Sequence, residues 1–383
     1  MTKIYLDSAA TAPPCAAAVS AAVSAIENFG NPSSLHHMGI AAEKEVNGAR
    51  STIARAIGAK DGEIYFTSGG TESNNLALFG GAKIHNGTRI IATAAEHPSV
   101  IEPLKALAQK GFEIFYLPLA KGGLVCPDTL AKALDTPTCL VSIHQVNNET
   151  GVTQNIAALG KIIKETSPKT LFHVDGVQSF CKIPINVQGM RIDLFSISAH
   201  KIGGLKGCGG LFVREKVHLN PMMMGGGQEK NLRPGTENVP AIAGFGASTR
   251  QQSNAITANY NHVNTLKERF ISALHPLDAI EINGENTMPY IINISVDGVR
   301  PEVLLNALSA KGVYISAGAA CSSNKRQKDD ESAVLLAYGL DKQRAETAVR
   351  ISFSPGNTLE EIEIAAEIFT DCVATLRKMK KLR

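Results

Sequence analysis

The sequence has little charge of either sign to spare: 38 Lys and Arg stand against 35 Asp and Glu, a formal net charge of +3. That excludes an extended basic nucleic-acid surface and gives an acidic partner no field to follow. The opening stretch MTKIYLDSAATAPP lacks the apolar centre of a signal peptide, and no apolar run approaches membrane-spanning length. A cytoplasmic location with no membrane attachment is therefore expected. No pair among Cys15, Cys126, Cys139, Cys181, Cys208, Cys321 and Cys372 has metal-ligand spacing. An odd number of cysteines in a large chain reads as free thiols in a reducing compartment. The two histidines of FGNPSSLHHMG have no third ligand to match, so no metal site is predicted. Repeats, low-complexity tracts, a Walker lysine and a GxGxxG fingerprint are all missing, which removes solenoids, P-loops and dinucleotide folds from consideration.

What is present is a long alternation of β-rich and helical runs in a chain that is 44% hydrophobic and 19% charged. Candidate strands are Ile64–Thr67, Arg89–Ala94, Phe112–Leu117, Cys139–Gln145, Thr170–Val174, Ile192–Ile197 and Cys208–Val213. Helical patterns fill most gaps, at Glu72–Ile84, Val100–Lys110, Pro127–Leu134 and Ile156–Glu165. This predicts an α/β fold whose large domain has a mostly parallel seven-stranded sheet covered by helices. Too few residues join the last two strands for a crossover helix, so an antiparallel pair is expected there. From about Ala241 a long helical run reaches Leu274, and shorter strands and helices follow, which reads as a smaller α+β domain. The expected division is 15–250 for the large domain, with 1–14 and 251–383 forming the small one.

Several predicted strands end in polar groups, at the edge where open α/β sheets bind ligands. Phe66-Thr67-Ser68-Gly69-Gly70-Thr71-Glu72 is a strand, a turn and a helix start. Thr71 there either caps the helix in the ordinary way or offers its hydroxyl to an anion. Ala95-Glu96-His97-Pro98 ends another strand with an imidazole, and Gln145 to Gly151 ends a third with amides. Asp175 closes Phe172-His173-Val174-Asp175, as a turn residue or as the counter-charge of a protonated pyridine. In FSISAHKIGGLKGCGGLFV, Lys201 lies between two apolar runs. It either snorkels or pairs with a carboxylate, or it is a buried amine able to form a Schiff base with an aldehyde cofactor. Six of the cysteines read as core residues. Cys321 does not, because SAGAACSS runs straight into the polar NKRQKDDE; a thiol on such a loop can meet a bound substrate and then deliver what it takes.

The motifs YLDSAAT, GNPSSLH, FTSGGTESNN, AAEHPSV, VNNETG, HVDGVQ, SISAHKIGGLKGCGGLFVR, GGGQEKNLRPGTENV, SAGAACSS and VRISFSPGN cover nearly the whole chain. Together they resemble the class V, fold-type I pyridoxal 5′-phosphate enzymes, and among them the NifS/IscS-type cysteine desulfurases. The resemblance implies that Lys201 is the Schiff-base lysine, that His97 stacks on the pyridine ring, that Asp175 pairs with its nitrogen and that Gln178 donates to its phenolic oxygen. Gly70, Thr71, Ser198 and His200 would hold the phosphate, and Thr236 would reach the phosphate site of the other subunit of a homodimer. Asn148 and Arg350 would grip the substrate carboxylate, with Asn31 in the same region, and Asn148 would also border the cofactor. Cys321 would take sulfur from L-cysteine as a persulfide, leaving L-alanine, with His97 moving protons nearby. The outlet would be a sulfur acceptor or iron–sulfur scaffold, for cluster assembly or thio-modification.

The chain departs from that pattern at Leu205, where proline is usual, at Gly70, where alanine is frequent, and at Ser8, where asparagine is. The charged stretch Asn324–Glu331 and the basic tail Arg377–Arg383 are its own, which leaves the acceptor open. A selenocysteine lyase and a non-catalytic scaffold of the same fold are the alternatives; an aminotransferase has no need of a loop thiol.

Overall fold

The computed structural model describes residues 3–83, 87–274, 277–317 and 333–381. Cys321 lies outside the described residues. All seven predicted strands form one sheet: β2 (Ile64–Thr67), β3 (Arg89–Thr93), β4 (Glu113–Leu117), β5 (Thr138–His144), β6 (Leu171–Asp175), β7 (Leu194–Ser198) and β8 (Gly209–Val213), in the order β2-β8-β7-β6-β5-β3-β4. β8 is antiparallel to both its neighbours and the other pairings are parallel. β2 through β7 therefore share one direction and present their carboxyl ends along one edge. Interior strand β5 reads TCLVSIH and is buried at every position, the expected pattern for a strand covered on both faces.

The covering helices are α1 (Ala16–Glu27), α2 (His37–Ile57), α3 (Gly70–Gly81), α4 (Pro98–Gln109), α5 (Pro127–Ala133), α6 (Ile156–Thr166) and α7 (Val239–Ser253). α6 shows why they form. Asn155 caps it by accepting from the Ala158 amide, and Ile156, Leu159, Gly160 and Ile163 bury a single stripe. Phe180 and Phe245 meet edge to face at 5.9 Å in the core between sheet and helices.

A second core gathers around Phe270, Phe353 and Phe369. It lies under an antiparallel sheet, β12-β13-β10-β9, of β9 (Ile280–Asn283), β10 (Ile291–Val296), β12 (Ser316–Ala317) and β13 (Ala348–Ser352). The amino-terminal β1 (Ile4–Tyr5) pairs in parallel with β11 (Val313–Tyr314) beside it. The helices here are α8 (Ile256–Leu274), α9 (Pro301–Ala310), α10 (Ala333–Ala337), α11 (Lys342–Glu346) and α12 (Leu359–Lys381).

Two sequence expectations need correcting. The single helix reaching Leu274 is two, α7 and α8, parted at Asn254 and Ala255. α7 belongs to the first core and α8 to the second, so the break is where the chain changes cores. Asn259 bridges it by donating to Gln252 Oε1 at 2.9 Å. Of the cysteines assigned to the interior, Cys139, Cys181, Cys208 and Cys372 are buried, but Cys15 and Cys126 are partly exposed because they precede α1 and α5 at their N-caps. Among the described residues no helix is long and apolar enough to cross a membrane, and no group of three or more His, Cys, Asp or Glu could hold a metal ion.

Candidate active site

Along the carboxyl edge of the sheet a cavity of about 520 Å³ brings together Gly70, Thr71, His97, Asn148, Asp175, Gln178, Ser198, His200, Lys201 and Arg350. Lys201 ends the single turn Ala199–Lys201 that follows β7. Its Nζ donates to the carbonyls of Ala9 at 2.6 Å and Ala10 at 2.8 Å. Among the described residues it makes no ion pair, and these two carbonyls hold its Nζ inside the cavity. Burial pushes its pKa down to about 8, helped by the positive charge of Arg350 and opposed by Asp7 and Asp175.

Asp175 is the last residue of β6 and is buried. Its Oδ2 accepts from Asn74 Nδ2 at 2.7 Å and its Oδ1 from the Val177 amide at 3.0 Å. The same Asn74 amide donates to Ser99 Oγ at 2.8 Å, and Ser99 Oγ lies 2.7 Å from His97 Nδ1. Because the Ser99 amide also donates to His97 Nδ1 at 3.1 Å, Nδ1 is the acceptor and the ring proton sits on Nε2. Burial holds the His97 pKa below its ordinary value, Asp175 opposing and Lys201 assisting, so the imidazole over the cavity is neutral. Neither Asn74 nor Ser99 stood out in the sequence. The available signal was the spacing of Gly70, Ser73, Asn74 and Ala77, which puts an amide on the buried face of α3.

α3 begins at Gly70 with Gly69 as its cap, so Thr71 lies inside the first turn and is not the capping residue. A Cβ on Gly70 would stand 2.7 Å from Val177 Cγ2, which explains glycine here. Ser198 Oγ is buried beside this turn with no hydrogen-bond partner. His200 Nδ1 lies 3.1 Å from Thr11 Oγ1, and burial followed by Lys201, Lys206 and Lys182 pushes its pKa down to about 4. A helix amino end, an unpartnered hydroxyl and a neutral imidazole together make an anion cradle.

Gln178 donates through Nε2 to Ala9 O at 2.9 Å and accepts from Lys182 Nζ at 3.2 Å, leaving one amide hydrogen for a ligand. Arg350, on β13, donates to Asn148 O at 2.9 Å and to Asp7 Oδ1 at 2.9 Å. Asp7 Oδ1 also accepts from Ser316 Oγ at 2.8 Å. The Arg350 fork is thus already engaged, and its buried Nε is without a partner. His144, also on the cavity wall, pairs through Nδ1 with Glu96 Oε1 at 2.9 Å, and its Nε2 lies 3.3 Å from the Tyr338 hydroxyl. Asn31 and Thr236 are exposed and stand apart from the cavity. Asn31 Oδ1 accepts from the Ser33 amide in the turn between α1 and α2.

The Aminotransferase class-V family profile matches residues 4–364. The chain is 38% identical to a cysteine desulfurase IscS from Methanosarcina thermophila, over 99% of this chain and 94% of that one. A solved NifS-like protein superposes with a TM-score of 0.91 at 34% identity, covering 98% of this chain and all of the other. A second solved structure, SspA in complex with cysteine, matches with a TM-score of 0.81 at 32% identity over 93% of this chain and all of that one.

Proposed function

The chain belongs to the class V aminotransferase family as a cysteine desulfurase, and from that premise we propose how its own residues divide the work of taking sulfur from L-cysteine and leaving L-alanine. The observation that carries the proposal is the meeting, in one cavity, of a buried amine of lowered pKa, a carboxylate fixed by two donors and an anion cradle.

This donor set fits pyridoxal 5′-phosphate. The α3 amino end, Thr71, Ser198 and His200 would hold its phosphate. Asp175, with both oxygens anchored, would face the ring nitrogen, Gln178 the phenolic oxygen and His97 the ring face. The cofactor supplies an electron sink for charge that develops at the α-carbon of an amino acid. Lys201, whose pKa is about 8, holds or takes a proton at Nζ near neutral pH. Asn148 and Arg350 orient the substrate by its carboxylate. Neutral His97 offers its Nε2 proton on the cavity side. The Cys321 thiolate attacks the substrate sulfur; the new S–S bond forms as the Cβ–S bond breaks, and the electron pair released to Cβ takes up a proton to give alanine. The persulfide then passes its outer sulfur to a thiol acceptor, for iron–sulfur assembly or thio-modification.

A homodimer completes the reading. α1 exposes Val19, Val23 and Ile26 along one stripe, continued by Phe29 and Leu35, which are 78% and 95% exposed. A stripe of this kind calls for a cover, and a second copy provides it. Thr236 is exposed on the same chain and free to reach across. The cytoplasm suits the unpaired thiols, six of which are described and free.

The test is Cys321→Ser. Alanine formation from L-cysteine disappears while the visible absorbance of bound pyridoxal phosphate is retained. Undiminished turnover would remove Cys321 from the mechanism. Comparing L-cysteine with L-selenocysteine separates a desulfurase from a lyase that takes selenium alone.

A further inference from the structure

Glu149 follows Asn148 on the cavity wall and is itself buried, yet it has no role in the scheme above. Its backbone is fixed: the amide donates to Asn147 Oδ1 at 2.9 Å and the carbonyl accepts from Asn293 Nδ2 at 3.2 Å. Its side chain is not, since Oε2 is buried without a hydrogen-bond partner. Arg350 lines the same cavity and its charge acts on Glu149; its Nε is buried and also without a partner. The two do not pair with each other. Arg350 turns its fork to Asn148 O and Asp7 instead.

Two unsatisfied groups on the wall of one cavity, each costly to bury alone, define a place for a third group that satisfies both. A carboxylate does so when one of its oxygens accepts from a guanidinium N–H and the other from a carboxyl O–H. Burial pushes the Glu149 pKa up to about 8, against the pull of Arg350, which keeps the O–H in place at neutral pH. The other titratable groups around it are Tyr338, His144 on the cavity wall with Glu96 paired to it, and Asp7 beyond Arg350, with His97, Asp175, His200 and Lys201 also on the cavity.

We propose that Glu149 is a second substrate-reading residue, a neutral carboxyl that donates its O–H to the carboxylate of the amino-acid substrate beside Arg350 Nε. The inference deepens the amino-acid reading of this site and rests on it. Ionised, Glu149 repels the substrate it reads when neutral, so binding weakens as the proton is lost.

The experiment uses holoenzyme, Glu149→Gln and Glu149→Ala, with KM for L-cysteine measured from about pH 6.5 to about 9.5. Binding of L-alanine, read from the visible absorbance of the cofactor, is measured in parallel. Glutamine keeps a donor and cannot ionise, and the ratio of parent to variant cancels the titration of the substrate itself. The expected result is that KM of the parent relative to Glu149→Gln rises about tenfold per pH unit above about 8. Glu149→Ala loses about tenfold in affinity for both amino acids below that pH, with kcat changed far less. Superimposable pH profiles of parent and Glu149→Gln, or parent-like affinity in Glu149→Ala, would overturn the proposal. If L-alanine binding follows the predicted pattern while no protein forms alanine from cysteine, the desulfurase reading fails and the role of Glu149 stands.

Discussion

Asn74 donates to Asp175 Oδ2 at 2.7 Å, so the carboxylate that would face the cofactor nitrogen is held by a helix as well as by its own strand. The same amide reaches Ser99, and through it the imidazole of His97. One side chain thus links the group that would face the ring nitrogen to the group that would face the ring itself. Asn74→Ala is expected to lower kcat by about tenfold to a hundredfold, the usual cost of losing a residue that orients a functional group. Asn74→Asp sets a second carboxylate against the first and is expected to do worse. Steady-state alanine formation and the cofactor absorbance band read both effects.

Lys201 carries a pH prediction. Its pKa is lowered from 10.5 to about 8, by burial first and by Arg350 next, and the neutral amine is the form that captures an aldehyde. Apoprotein should take up pyridoxal phosphate about tenfold faster for each pH unit up to about 8 and then level off. A rate still climbing near pH 10 would show an ordinary lysine. Lys201→Ala is expected to abolish both the visible band and turnover.

Tyr338 is buried, touches His144 through its hydroxyl and packs its ring against Gly123, where an added Cβ would fall 1.8 Å from Tyr338 Cε1. Gly123 also has a φ of +91°. Gly123→Ala is therefore expected to cost about 3 kcal/mol or more. Tyr338→Phe keeps the ring and loses only the hydroxyl's hydrogen bonding, for about 1 kcal/mol. Thermal unfolding should rank the two in that order.

Arg50 and Glu229 form a bidentate pair at 2.9 and 2.7 Å with side chains only 16% and 2% exposed. Glu229 also accepts from the Phe66 amide at 2.8 Å and opens a run of three residues with positive φ, at 45°, 56° and 65°. The pair thus holds a strained turn a few residues before Thr236. Arg50→Ala leaves a buried carboxylate uncompensated and is expected to destabilise by about 3–5 kcal/mol, measured by denaturant unfolding.

The sheet was legible because its strands are unbroken apolar runs that differ sharply from the helices between them. Strand ends carrying one polar group each were legible for the same reason, and Lys201, Asp175 and His97 meet where those ends meet. Asn74, Ser99 and Glu149 were not: helical spacing marks Asn74 as buried but not what it meets, and Ser99 and Glu149 carry no mark that distinguishes facing a cavity from facing water. Asp7 was hidden differently. Its contact with Arg350 spans 343 positions, and no local pattern reports a pairing at that distance. The helix break at Asn254 and Ala255 left no proline or glycine to show it; only the exchange of cores demands it.

β1 and the Asp7–Arg350 contact make Ile4, Tyr5 and Asp7 neighbours of Val313, Tyr314 and Arg350 in the finished site. The sheet with Asp175 closes over contacts nearer in sequence, but the carbonyls of Ala9 and Ala10 that hold Lys201 are carried by a segment anchored to Ser352 of β13. Non-local closure of this kind is slow relative to helix and hairpin formation. Lys201 therefore gains its two carbonyl partners only once the segment around Ala9 has docked on the second sheet, a late step for contacts so far apart in the chain.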